Sequence, residues 1–399
     1  MLYYIYHMEF LTKVAVPATD IRIDYKSKLA FFGSCFADNI SAQFASRKFK
    51  VLANPFGTVY NPLSIAKQIQ LIASGKIFGE EDVFQDMRLL PEKNACGNEN
   101  CAASWFSWDA HGSLSGKSRE ECIAKLNAAA DRARKFLQRA NVVFITLGTA
   151  FVYFLKSEKQ SHCEDARGNA QFLNKNARGN VVANCHRQDP RLFERRMISV
   201  EDAAEAIKEI AEGICKIKND WILRRFATQD DEQVAAHKGT QSESRENCKA
   251  GSADNLKIVF TVSPLRHMSD GAHGNTLSKA TLQLAIDKVI RNDVGIPTPL
   301  TSYFPSYEIV MDELRDYRFY DSDMIHLSKT AEEYIFERMA ETYCNEKTRE
   351  DIKQVEKFLK SANHRIQNAD SPTTATFLQK LHAEAQKLES QIAGLELNV

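Results

Sequence analysis

Net charge is the first thing this 399-residue chain lacks: 52 lysines and arginines face 52 aspartates and glutamates. A chain without a charge excess has no general attraction for nucleic acid or for an anionic membrane surface, and neither partner is expected. Long apolar runs are missing too, so no segment reads as a membrane span. The first ten residues have no basic start, no sustained hydrophobic stretch and no small-residue cleavage site, which argues against a secretory signal. Cysteine pairs at zinc-site spacing are also absent. The nine cysteines are odd in number and scattered, and only Cys96 and Cys101 lie close together. The expectation is a cytoplasmic protein with reduced thiols, no metal and no cofactor.

What is present suits a globular core: 44% of residues are apolar and 10% aromatic. Residues 29–32, 50–53, 141–147 and 256–262 read as short buried strands, with 303–310 as a further candidate. Helices are expected over 37–44, 64–73, 118–140, 198–218, 276–291 and 329–343. Strands alternating with helices imply an α/β fold, three layers deep, with a mostly parallel central sheet of flavodoxin-like type. One domain is expected over 10–345. Flexible insertions are expected near 92–103, 156–179 and 228–254, where polar residues dominate. Residues 346–399 form a charged helical extension, broken at Pro372, that offers a surface for oligomer contacts.

The chain is organised around Leu29-Ala-Phe-Phe-Gly-Ser-Cys35. A strand, a glycine turn and a helix start present a hydroxyl and a thiol side by side. Helix N-termini carry partial positive charge and unpaired N–H groups, an environment that lowers a thiol pKa and holds an oxyanion. In a parallel sheet the loops starting at Gly33, Asn54, Gly148, Ser263 and Phe319 gather at the C-terminal strand ends, where such folds bind ligands. Asp323-Met-Ile-His326 lies just before a helix, and the three-residue spacing lets the carboxylate hold the imidazole. A nucleophile near the start with Asp and His near the end follows the Ser…Asp…His order of hydrolases on α/β sheets. Asp312 and Glu313 read as a solvated turn. Trp105-Phe-Ser-Trp-Asp-Ala-His111 is open between a hairpin edge with aromatic packing and a pocket wall contributed by Trp108 and His111.

Phe32-Gly-Ser-Cys-Phe-Ala37, Asn54-Pro-Phe-Gly57, Gly148-Thr-Ala150, Asn184-Cys-His186, Val262-Ser-Pro264 with Arg266-His267, and Asp323-Met-Ile-His326 together resemble the GSCFA-domain family, a relative of the SGNH/GDSL hydrolases. The resemblance covers about residues 10–345. It implies an SGNH-hydrolase-like fold and an esterase or acyltransferase acting on an acyl ester, with an acylated saccharide as the substrate class. Cys35 stands where GDSL enzymes carry the nucleophilic serine, and Ser34 stands where they carry aspartate. A shift of one residue makes Ser34 the nucleophile instead. His326 is then the general base and Asp323 its partner, and backbone N–H groups at Cys35 and Gly57 hold the oxyanion. The asparagine that follows the block glycine is missing after Gly148, which leaves Thr149, Asn61 and Asn184 as its replacements. The rival reading is a non-catalytic saccharide- or anion-binding protein on the same fold, using the Trp105–His111 segment and the basic pair Arg266 and His267, while Asn184 and His186 remain candidate substrate-binding residues of the resemblance.

Overall fold

A computed structural model describes residues 12–86, 104–156, 180–234, 256–291, 300–363 and 372–397. Its centre is a five-stranded, wholly parallel sheet. Strand β1 (Lys28–Gly33) pairs with β2 (Lys50–Ala53) on one side and β5 (Val142–Leu147) on the other; β9 (Lys257–Val262) and β10 (Thr301–Tyr303) follow outward. The spatial order β2-β1-β5-β9-β10 is the flavodoxin-like order, in which the chain reverses direction of growth between β1 and the next central strand. That reversal opens a crevice beyond the strand ends.

Side chains alternate across this sheet. Ala30, Phe32, Val143, Ile145, Ile258 and Phe260 join one core. Helices α2 (Pro62–Ser74), α3 (Arg119–Leu137), α4 (Val200–Val234) and α5 (Gly271–Ile290) cover it. Leu29, Phe31, Phe144 and Val259 join the opposite core, covered by α1 (Cys35–Ser46) and α7 (Lys329–Tyr343). The three layers follow from strands that are apolar on both faces. Helices α8 (Glu346–Ala362) and α9 (Pro372–Gln391) add Ile352, Val355, Phe358, Leu381 and Leu388 to that second core, so the C-terminal extension is packed against the domain. Among the described residues no helix is long and apolar enough to cross a membrane.

Two small antiparallel sheets flank the main one. Strands β3 (Phe84–Gln85) and β4 (Trp105–Phe106) pair in one; β6 (Phe151–Leu155), β7 (Val181–Val182) and β8 (Phe193–Met197) form the other.

Several expectations change. The strand expected over 303–310 ends at Tyr303; Pro305 has no N–H for a ladder, and the chain turns through α6 (Ser306–Glu308) into a π-helical turn, Ile309–Glu313. The apolar pair Ile309 and Val310 is buried there on a helical rather than a strand face. Glu313 is not solvated. Its carboxylate is buried, accepts hydrogen bonds from Val14 N (2.7 Å) and Tyr334 Oη (2.5 Å), and lies 3.3 Å from Arg338 Nη2. The helix expected to end near 218 continues to Val234, into the expected flexible insertion, and no glycine or proline interrupts residues 219–234. The expected insertion 92–103 lies outside the described residues, as do 157–179 and 235–254 of the other two.

Candidate active site

Strand β1 ends on Gly33 at φ +137°, a conformation that side chains oppose, and a Cβ there would sit 2.1 Å from Thr146 O on β5. Only glycine lets β1 turn this close to its neighbour. Ser34 then occupies the N-cap of α1 and Cys35 its first position. Asn54 fixes the turn from outside. Its Oδ1 accepts from Gly33 N (2.8 Å) and its Nδ2 donates to Asp38 Oδ1 (2.7 Å), while Thr58 Oγ1 donates to the other Asp38 oxygen (2.8 Å). The loop continues to Tyr60, whose carbonyl accepts from Gly148 N (2.7 Å) and Thr149 N (2.9 Å) at the exit of β5.

Lys279 on α5 joins the next two strand ends from below. Its buried ammonium donates to Gly148 O (2.5 Å) and Ser263 O (2.8 Å). Over these strand ends lies a cavity of about 280 Å³, lined by Ser34, Cys35, Tyr60, Gly148, Ser263, Leu265, Arg266, His267 and His326 together with neighbouring residues of the last two loops. Residues as distant in sequence as Cys35 and His326 therefore share one small cavity.

His326 comes from the loop before α7. An isolated bridge between Tyr320 and Leu327 closes that loop at its base. Asp323 Oδ1 accepts from the backbone N–H groups of Ile325 and His326 (2.9 Å each), and Oδ2 lies 2.6 Å from His326 Nδ1. The imidazole beside it, then the two N–H groups, hold the Asp323 carboxyl down to about 2, so it stays ionised throughout the neutral range. With Nδ1 committed, the outward nitrogen of His326 is Nε2.

The cavity holds a second pair of this kind, missed in the sequence. His267 Nδ1 lies 3.1 Å from Asp270 Oδ2 and 2.7 Å from Ser269 Oγ. Its spacing, His-x-x-Asp, is the Asp323–His326 spacing reversed. Here the carboxylate is fully buried and shared: Arg195 on β8 pairs with it and Thr149 Oγ1 approaches to 3.4 Å. Arg195 stacks over the Phe151 ring at 4.3 Å.

Electrostatics at the nucleophile differ from expectation. Burial pushes the Cys35 thiol up, and the Asp38 carboxylate adds to this; the N–H groups of Phe36 and Cys35, and Lys279, pull the other way without prevailing. Cys35 therefore rests as a thiol and needs a base. Ser34 is buried more deeply, and its hydroxyl has no hydrogen-bond partner among the described residues.

Other expected site residues lie elsewhere. Gly57 N donates to Asn54 O (2.7 Å), so that N–H is spent within its own turn, and the glycine backs onto His111. Asn61 caps α2, accepting from Ser64 N (2.8 Å). Thr149 turns its hydroxyl to Ser278 (3.1 Å) and Asp270. Asn184 accepts from His186 N (2.7 Å). None of these lines the cavity. Trp108 and His186 belong to an aromatic cluster with Phe84, Phe106 and Phe193. His186 stacks on Phe106 at 4.3 Å, and its Nε2 is 2.8 Å from Ser107 O. His111 caps a short 3-10 turn through Ser113 N (3.2 Å). The aromatic-packing alternative describes 105–111. Among the described residues no three His, Cys, Asp or Glu side chains gather as metal ligands.

Burial drops Lys279 to about 7 from the usual 10.5, against the opposing pull of Asp270 and Cys35. Between those values the unfolded chain holds a proton that the folded chain has released. Stability contributed here is therefore lowest below pH 7 and rises as pH climbs toward 10.5. Thermal midpoints taken at about pH 6.5 and about pH 9.5 should differ less in Lys279→Met than in wild type. An unchanged difference would show that Lys279 does not titrate in this window.

A family model described as the GSCFA family matches residues 28–223 and 232–339, which include every residue of the cavity. No curated protein and no solved structure matches the chain.

Proposed function

The chain belongs to the GSCFA family, and from that membership we propose that it is an SGNH-like acyl hydrolase or acyltransferase whose nucleophile is Cys35. The observation that carries the reading is the shared cavity: a thiol at the first position of a helix and a carboxylate-held imidazole line the same 280 Å³ space. His326 Nε2 takes the Cys35 proton as Sγ attacks the ester carbonyl. Asp323 stabilises the imidazolium that forms. The tetrahedral oxyanion collapses, the alkoxide leaves with the proton from His326, and a thioester remains on Cys35. Water or an acceptor hydroxyl then attacks, gives its proton to His326, and releases the acyl group with the thiol restored.

His326 suits this role better than His267. The charge of Asp270 is already neutralised by Arg195, whereas Asp323 meets only backbone N–H groups and the imidazole. The oxyanion falls to the Cys35 N–H at the start of α1 and to the hydroxyl of Ser34, a cavity-lining residue whose buried Oγ has no partner among the described residues. Ser34 then substitutes for the absent asparagine. An acylated saccharide is the substrate class by kinship with SGNH enzymes.

The test is acylation by p-nitrophenyl acetate, followed by mapping of the modified peptide. Acetyl mass on the peptide holding Cys35, lost in Cys35→Ala and slowed at least about 10²-fold in His326→Ala, is the expected result. Labelling that proceeds at the wild-type rate in His326→Ala would sink the mechanism. Saturable saccharide binding with no labelled peptide would favour the binding-protein reading.

A further inference from the structure

A second cavity, of about 520 Å³, adjoins the first and shares Arg266, Met268 and Ile325 with it. It lies between the first turn of α5, the π-helical turn 309–313 and the loop carrying His326. Its size falls within the range of ligand pockets, and π turns recur at functional sites. Two features of its lining are unusual. Met268, Tyr317 and Met324 are 58%, 76% and 54% exposed, a cluster of large apolar side chains left at the surface around one opening. Unbranched methionines adapt to an apolar ligand better than branched side chains do. Behind them the floor is Val310 and Leu314, both buried.

The second feature is charge. Arg266, Arg315, Asp316 and Asp323 are the charged residues of the lining. Both carboxylates are occupied, Asp316 by Arg318 (3.2 Å) and Asp323 by His326. Arg266 and Arg315 have no carboxylate partner among the described residues. The first turn of α5, with Gly271 and Ala272 in the wall, adds the positive end of that helix to the same side. An apolar floor with two uncommitted guanidinium groups at its mouth matches a molecule with an apolar chain and one anionic group.

We propose that this cavity is the subsite for the non-reacting part of the substrate, and that it selects amphipathic anions: an acyl or aryl body bearing a phosphate or carboxylate. This rests on the acyl-ester reading for its place in the reaction but not for its ligand. The shared lining brings such a ligand to Cys35 from the side of Arg266.

Calorimetric titration separates the two claims. Octyl phosphate and octanoate serve as probes, inorganic phosphate and octyl glucoside as controls, with wild type, Cys35→Ala, Arg266→Gln and Arg315→Gln as proteins. Saturable binding of an anionic octyl probe is expected, retained in Cys35→Ala and weakened about tenfold or more in each arginine variant. Both controls should bind at least about tenfold more weakly than the better probe. The two anionic probes distinguish phosphate from carboxylate. Equal affinity for octyl glucoside, unaltered affinity in both arginine variants, or no saturable binding of either anion would overturn the proposal. Binding as expected, in a protein that shows no acylation, would leave this subsite standing and remove only the esterase reading.

Discussion

Cys35→Ala is expected to lower turnover of a short p-nitrophenyl ester by about 10⁴-fold or more, and Ser34→Ala by about 10²–10³-fold. The two neighbours differ because they do different things. Without a nucleophile only binding and oxyanion stabilisation remain. Without the Ser34 hydroxyl the thioester still forms, but the oxyanion loses one donor. The comparison is clean because the Ser34 hydroxyl makes no hydrogen bond among the described residues whose loss would disturb the fold. Its φ of −70° and ψ of 174° suit alanine equally well. Removing an orphaned buried hydroxyl is close to neutral for stability. The measurement is kcat/KM for each variant, with the acylated peptide mapped alongside. If Ser34→Ala were the more damaging change and the acyl group moved off the Cys35 position, the register would shift by one residue and Ser34 would be the nucleophile.

Glu313→Ala is expected to cost about 3 kcal/mol of stability, at the low end for breaking a buried ion pair. Glu313 lies beneath the N-terminal segment and α7, where it receives Val14 N, the Tyr334 hydroxyl and Arg338. Alanine would leave the Arg338 guanidinium buried with, among the described residues, only Glu341 (3.3 Å) and the Val14 carbonyl (2.7 Å) as partners. That remaining support is why the lower figure applies. Glu313→Gln keeps the volume and one acceptor, so its loss should be smaller. The thermal midpoint reads both. A midpoint for Glu313→Ala within about a degree of wild type would show that the pair contributes nothing net.

Much of the fold is legible in the sequence because it depends on local patterns. The runs 29–32, 142–145 and 258–260 are apolar at every position, as strands covered on both faces must be. Gly33 is legible for the same reason: a glycine between a strand and a helix marks a turn. What is not legible depends on partners far apart in the chain. Lys279 sits in an ordinary helical stretch, and nothing nearby tells that it is buried under Gly148 and Ser263, 131 and 16 residues away. Glu313 resembles any acid in a polar turn until Val14, 299 residues earlier, arrives beside it. Gly57 misled for a related reason. Its place in a loop after β2 is readable, but whether its N–H is free is decided by Asn54 three residues back. Trp108, His111 and His186 look like binding residues because aromatics and imidazoles line pockets. Trp108 and His186 also pack well against each other and against Phe106, and here they do, while His111 caps its own turn.

The bridge between Tyr320 and Leu327 bears on when the site assembles. Asp323 and His326 sit within one short closed loop, and their contacts span three residues. Closing such a loop takes well under a microsecond. The cradle of Cys35 needs β1 against β5, Asn54 under Gly33, and Lys279 across two strand ends, contacts that span from 16 to 131 residues. Long-range parallel pairing is the slow part of folding for a chain of this topology. Refolding from denaturant should therefore restore the imidazole–carboxylate pair early and a reactive thiol late, so that a thiol-directed acyl probe times completion of the sheet.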